Sequence, residues 1–195
     1  MIDANIEAID LGKGVERWPR FLSALFAGVG VSETVVTRVE MDAGPEKVWQ
    51  GILFYEEVPG RAPWLLRTFM PCPVRTEGGK GEVGATVLCT YHLGDLVKRI
   101  TAVEPPRLIA FEVVEQCLGI EGCVRTEGGS YEIQPRGDGS TILLRTRYRA
   151  FLHPRWLWRP WERVVTNQLH HHVLQGIGAS VGQASRVGHA AAEVQ

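Results

Sequence analysis

"KRITAVEPPRLIAFEVVEQ", residues 98–116, holds two short apolar-rich runs parted by Pro105 and Pro106. Pro-Pro is turn chemistry, and the flanking runs are strand-length and rich in Val, Ile and Phe. The stretch therefore predicts an antiparallel hairpin.

The same reading extends in both directions. Upstream lie "ATVLCTYH" (85–92), "DLVKRITAVE" (95–104) and a shorter run around "PVRTEGG" (73–79), and downstream "GGSYEIQP" (128–135) and "STILLRTRYRA" (140–150). The separators "LG" and "RGDG" are again turn residues, so an antiparallel meander of neighbouring strands is expected. Ahead of it, "ETVVTRVEM" (33–41) is a first strand that stops at "DAGPEKVWQGIL". There Asp42 or Gly44 caps, Pro45 suits the first helical position, and Val48, Ile52 and Leu53 have helical spacing. A second short helix is expected around Trp64 to Phe69. After Phe151, Pro160 marks a helix start, and Leu169, Val173 and Ile177 define the inner face of a long closing helix.

This order is α+β, with a curved antiparallel sheet of about seven strands and a long C-terminal helix that must lie across it. The order, with the hairpin above, "GGSYEIQP" and "RPWERVVTNQLHHHVLQG" (159–176), resembles the START-like (SRPBCC) superfamily and its polyketide cyclase/dehydrase and lipid-transport-like branch. The resemblance covers about residues 33–185. It implies the helix-grip fold and a mostly apolar cavity between sheet and long helix, which members use to hold sterols, lipids, polyketides or hormones. It supplies no catalytic signature, since fold does not fix function. The expected division is an extension at 1–32, a helix-grip domain at 33–187 and a tail at 188–195.

Composition excludes several classes. The 195 residues carry 21 Lys and Arg against 22 Asp and Glu, so no excess positive charge exists to draw in nucleic acid. No run of 18 apolar residues is present, and a transmembrane segment is not expected. Cys72, Cys89, Cys117 and Cys123 match no zinc spacing and are few for a disulfide scaffold, which fits reduced thiols in a cytoplasmic protein. "FLSALFAGVGV" (21–31) has the length of a signal-peptide core, but Asp3, Glu7, Asp10 and Glu16 make the preceding segment acidic. Leu22, Leu25, Phe26 and Val29 instead suggest an amphipathic helix that packs on the domain or forms a homodimer with a second copy.

Strand parity assigns the inward set. Arg145, Arg147 and Arg149 share one face, which turns Leu144, Thr146 and Tyr148 inward. The same test turns Tyr131 and Ile133 inward on their strand, and Val87, Cys89 and Tyr91 on theirs. "RLIAFEVVEQ" is apolar on both parities through its middle; taking Phe111 as a core former brings Ile109, Val113 and Glu115 with it. Glu115 then lies at the cavity rim, or is solvated at the strand end. The three tyrosines serve as wall residues or as polar anchors for a ligand.

"HHH" at 170–172 raises the question of a metal. At about 100° per residue the three rings diverge, and none of these positions has the i, i+3 or i, i+4 partner that a helical metal pair requires, so no metal is expected. With Leu169, Val173 and Ile177 inward, His170 sits at the edge of that face, where it touches a ligand or is a satisfied structural histidine. Trp156, Trp158 and Trp161 are expected to anchor the helix start.

The expected ligand-binding set is Cys89, Tyr91, Phe111, Val113, Tyr131, Ile133, Leu144, Thr146, Tyr148, Leu169, His170 and Val173. The partner is a small hydrophobic molecule, and no cofactor is expected. Two alternatives stand beside carriage: a cyclase or dehydratase in which Glu115 or His170 moves protons, and an interaction module using the N-terminal helix.

Overall fold

The structure, a computed structural model, describes residues 27–53, 66 and 70–192. Strand β1 (Ala27–Met41) leads into helix α1 (Pro45–Leu53). The meander follows: β2 (Pro73–Glu77), β3 (Thr86–Tyr91), β4 (Gly94–Glu104), β5 (Leu108–Cys117), β6 (Val124–Arg136) and β7 (Gly139–Leu152). Helix α2 (Arg155–Ala192) closes the domain. The seven strands form one antiparallel sheet in the order β1-β7-β6-β5-β4-β3-β2. This is the expected α+β helix-grip architecture. Of the second short helix, only Leu66 lies within the described residues, and it is helical and buried.

Local chemistry explains the elements. Along β1 the burial alternates, with Val35 and Thr37 buried and Thr34, Val36 and Arg38 less so, as a strand covered on one face requires. Pro45 takes the first position of α1, where its missing donor costs nothing, and the Val48 amide donates back to the Gly44 carbonyl at 3.2 Å. The Pro105-Pro106 corner between β4 and β5 is closed by the Arg107 amide donating to the Glu104 carbonyl at 2.6 Å.

α1 and α2 pack at a position only glycine allows. A Cβ on Gly51 would stand 2.5 Å from Val181 Cγ2 and 3.4 Å from Ile177 Cγ2, both on α2. Val48, Trp49 and Ile52 join Ile177, Val181, Leu174 and the inward residues of β3 to β7 in the main core.

Three expectations change. β1 opens at Ala27, not Glu33, and continues the pairing with β7 as far as Ala27 and Leu152. Val29 therefore belongs to a strand, where it is exposed, and not to a helix face; Leu22, Leu25 and Phe26 lie outside the described residues.

α2 starts at Arg155, and Pro160 sits inside it. The first turn is set instead by Pro154, whose carbonyl accepts from the Leu157 amide at 3.1 Å. Of the three tryptophans there, Trp158 is half-buried, whereas Trp156 and Trp161 are exposed.

What fastens the helix start is an ion network. Arg155 grips the Glu162 carboxylate through both terminal nitrogens, at 2.7 and 2.6 Å, and reaches Glu33 of β1 at 3.5 Å. Arg159 adds a 3.0 Å contact to Glu33. Glu162 is buried and Glu33 largely so, and the forked arginine supplies the counter-charge that they need there.

Candidate functional site

α2 rests on β1 and β7, the strands at one edge of the sheet. Over the other half a cavity of about 70 Å³ remains between sheet and helices. Its wall comes from β3 (Val87, Cys89, Tyr91), β4 (Lys98, Ile100), β5 (Ile109, Phe111) and β6 (Tyr131). Pro73, Thr76 and Lys80, with Ile52 of α1 and Val173 and Ile177 of α2, complete it. That is well below the roughly 300–1,000 Å³ of drug-sized sites, so the space suits a small molecule or one segment of a larger one.

Of the residues expected to meet a ligand, Cys89, Tyr91, Phe111, Tyr131 and Val173 are brought together here. The others lie elsewhere. Ile133 and Leu144 are buried in the core, and Val113 packs against it. Leu169 packs against a separate cluster of Leu66, Cys72 and Val165. Tyr148 belongs to a small cluster with Val35 and Ala150, and its hydroxyl points to Glu162 at 3.5 Å. The side chains of β7 meet α2 directly, Thr146 against His170 and Tyr148 against Glu162.

Glu115 is exposed, contrary to the inward parity expected of it. The cause is a register shift in the β4–β5 ladder: Val97 pairs with Glu115 but Lys98 pairs with Val113, so Val114 is an extra residue. Such a bulge reverses the alternation beyond it. Gln116 turns to use instead, its side chain bonding the Val124 carbonyl at 3.0 Å and the Thr126 amide at 2.8 Å.

His170 is fully inside, at the centre of the buried face of α2 with Thr166, Leu174 and Ile177, and does not line the cavity. Its ring spans two hydroxyls: Nδ1 lies 2.7 Å from Thr37 Oγ1 and Nε2 2.8 Å from Thr146 Oγ1. Thr37 in turn donates to Asn167 Oδ1 at 2.6 Å. One proton arrangement satisfies all four groups: Thr146 donates to Nε2, Nδ1–H donates to Thr37, and Thr37 donates to Asn167. That is a neutral imidazole. Burial, with repulsion from His171 and Lys98 behind it, lowers its pKa to about 4. His171 is exposed and His172 buried, so the three rings diverge. Among the described residues no three His, Cys, Asp or Glu side chains are grouped to hold a metal.

The sequence reading missed Lys98. It shares its parity with Leu96 and Ile100, both buried, and so points inward to the cavity wall. Its ammonium stands 4.5 Å from the centre of the Phe111 ring, a cation–π contact, with Cys89, Tyr91 and Tyr131 around it. Burial works against its charge; Cys89, Tyr131 and Tyr91 work for it, and the balance lies above the ordinary lysine value. Burial also pushes Tyr91 up to about 12 and raises Tyr131, so both keep their hydroxyl protons near neutral pH. The signal was available: Leu96 and Ile100 bracket Lys98, while Arg99 and Thr101 mark the wet face.

Residues 32–181 match the sequence profile of the family described as polyketide cyclase/dehydrase and lipid transport. No curated protein matches the chain significantly in sequence. Among solved structures, the Zhui aromatase/cyclase from Streptomyces sp. R1128 is similar with a TM-score of 0.58 at 14% identity, covering 81% of this chain and 98% of its own. Norcoclaurine synthase from Thalictrum flavum, in complex with dopamine and hydroxybenzaldehyde, is similar with a TM-score of 0.55 at 17% identity, covering 91% and 96%. The protein TTHA0849 from Thermus thermophilus has a TM-score of 0.54 at 16% identity, covering 78% and 99%. At such identities the likeness is one of fold. The profile spans most of the chain, and the protein belongs to the polyketide cyclase/dehydrase and lipid transport family of helix-grip proteins.

Proposed function

We propose that this protein binds a small, largely apolar molecule in the cavity between β2–β6 and the two helices. The observation that carries the reading is the wall itself: aliphatic and aromatic side chains with a few convergent polar groups, the composition of small-molecule sites. Carriage is favoured over catalysis because the two side chains put forward for proton transfer are elsewhere, Glu115 in solvent and His170 neutral between two threonines. No helix among the described residues is long and apolar enough to cross a membrane.

The test is titration with an uncharged fluorescent probe, N-phenyl-1-naphthylamine. Wild-type protein should enhance its fluorescence saturably, and Val173→Phe, which fills the cavity from α2, should weaken binding by about tenfold or more. Equal binding by both proteins, or none by the wild type, would sink the proposal. Native mass spectrometry of the purified chain for a co-purified apolar molecule is an independent check.

A further inference from the structure

One cation in the cavity wall, Lys98, meets no carboxylate among the described residues. Its described lining holds two lysines, Lys80 and Lys98, and no aspartate or glutamate. Lys80 donates to the Ile52 carbonyl at the end of α1, at 3.3 Å. Lys98 has no carboxylate within ion-pair distance among the described residues. The acidic side chains nearest on the paired strand β5 are turned the other way. Glu112 pairs with Arg99 on the outer face at 3.3 Å, and the bulge at Val114 sends Glu115 out to solvent.

The half-buried Lys98 ammonium is held by the Cys89 sulfur, the two tyrosines and the Phe111 ring rather than by a carboxylate. The ring contributes about 0.5–2 kcal/mol of that hold. Tyr91 and Tyr131 beside it add hydroxyls, which accept from the ammonium or donate to a neighbouring acceptor. One cation, two hydroxyl donors and an otherwise apolar surround make a receptor for an anionic oxygen group attached to an apolar body.

We propose that the ligand of this cavity is a hydrophobic monoanion, such as an aromatic or short aliphatic carboxylate, whose acidic group pairs with Lys98 while its apolar part lies against Phe111, Ile100 and Val173. The inference rests on the binding function proposed above and names its chemical class. The cavity's small volume suits a compact ring system or a short chain beside the acidic group, with any further part of a larger ligand reaching out of it. Neutral ligands of the same shape form no ion pair with Lys98, and cationic ones are repelled. Selectivity follows from the charge of Lys98, which meets no carboxylate among the described residues.

A matched pair separates this from binding by shape alone. Isothermal titration of the full chain with 2-naphthoate and with 2-naphthamide, near-isosteres that differ in charge, should show the carboxylate bound at least about tenfold more tightly. In Lys98→Met that preference should vanish, with the amide bound as in wild type or better. Lys98→Gln replaces it if the methionine variant does not fold, and the wild-type comparison stands without either. Equal affinity of wild type for acid and amide overturns the inference and leaves the cavity reading intact, as does a preference that survives loss of Lys98. If wild type binds neither compound and also fails with the uncharged probe, the cavity reading falls and this inference falls with it.

Discussion

Acid should weaken this protein from within, through His170. The imidazole is held neutral between Thr37 and Thr146, with a folded-state pKa of about 4 against 6.5 when exposed. Above pH 6.5 neither state binds the proton, and the full stability is present. As the pH falls below 6.5 the unfolded chain takes up the proton and the folded one does not, so stability drops until about pH 4, where both are protonated. The gap, at about 1.4 kcal/mol for each tenfold change in proton activity, comes to about 3 kcal/mol. His172, lowered by burial as well, acts in the same sense.

Other groups titrate in acid, so the measurement is a difference. Urea unfolding of wild type and His170→Gln, which keeps amide donors and acceptors but does not titrate, should be followed between pH 7.5 and 4.5. Wild type should lose most of that 3 kcal/mol relative to the variant across the window. A difference that stays constant with pH would refute the buried neutral histidine.

Further outcomes follow from the same geometry. Arg155→Met strands the buried Glu162 carboxylate and leaves Glu33 to Arg159 alone, and should cost about 3 kcal/mol by urea denaturation, more than Arg149→Met on the exposed face. Phe111→Ala should cost about 3–5 kcal/mol and change the titration with the naphthalene probe. Tyr148→Phe, in a cluster apart from the cavity, should leave that titration unchanged. A chain beginning at Glu33 loses the pairing of Val31 and Ser32 with Ala150 and Arg149, and should melt lower than one beginning at Ala27.

Most of the strands were legible because alternation is local: Arg145, Arg147 and Arg149 announce the wet face of β7 without knowledge of anything distant. The bulge was not, since "FEVVEQ" places apolar residues on both parities and no glycine or proline marks the inserted Val114. Hydropathy also hid the true inner face of α2. Thr166 and His170 lie at its centre, and the His170 ring is paired with hydroxyls from β1 and β7 that are distant in sequence. Pro160 misled as a start signal because Pro154 and the Arg155 fork already set the first turn. Where the cavity opens was beyond reach of any strand pattern. It depends on α2 lying toward one edge of the sheet, which emptied β7 of the role expected for Leu144, Thr146 and Tyr148 and left Lys98 facing a space.

The strand order separates two kinds of assembly in time. From β2 to β7 every strand pairs with its successor, so each ladder forms by closing a short loop. β1 is different: Val39 faces Ile142, about a hundred residues downstream. Loop closure cost rises with the logarithm of that length, and contacts so remote slow folding. The meander is thus able to zip up while β7 still presents an open edge, and β1 reaches it last, bringing α1 and the Glu33 clamp for α2. Until then the chain carries a vacant strand position of defined register, which a separately supplied copy of residues 27–41 has the sequence to occupy.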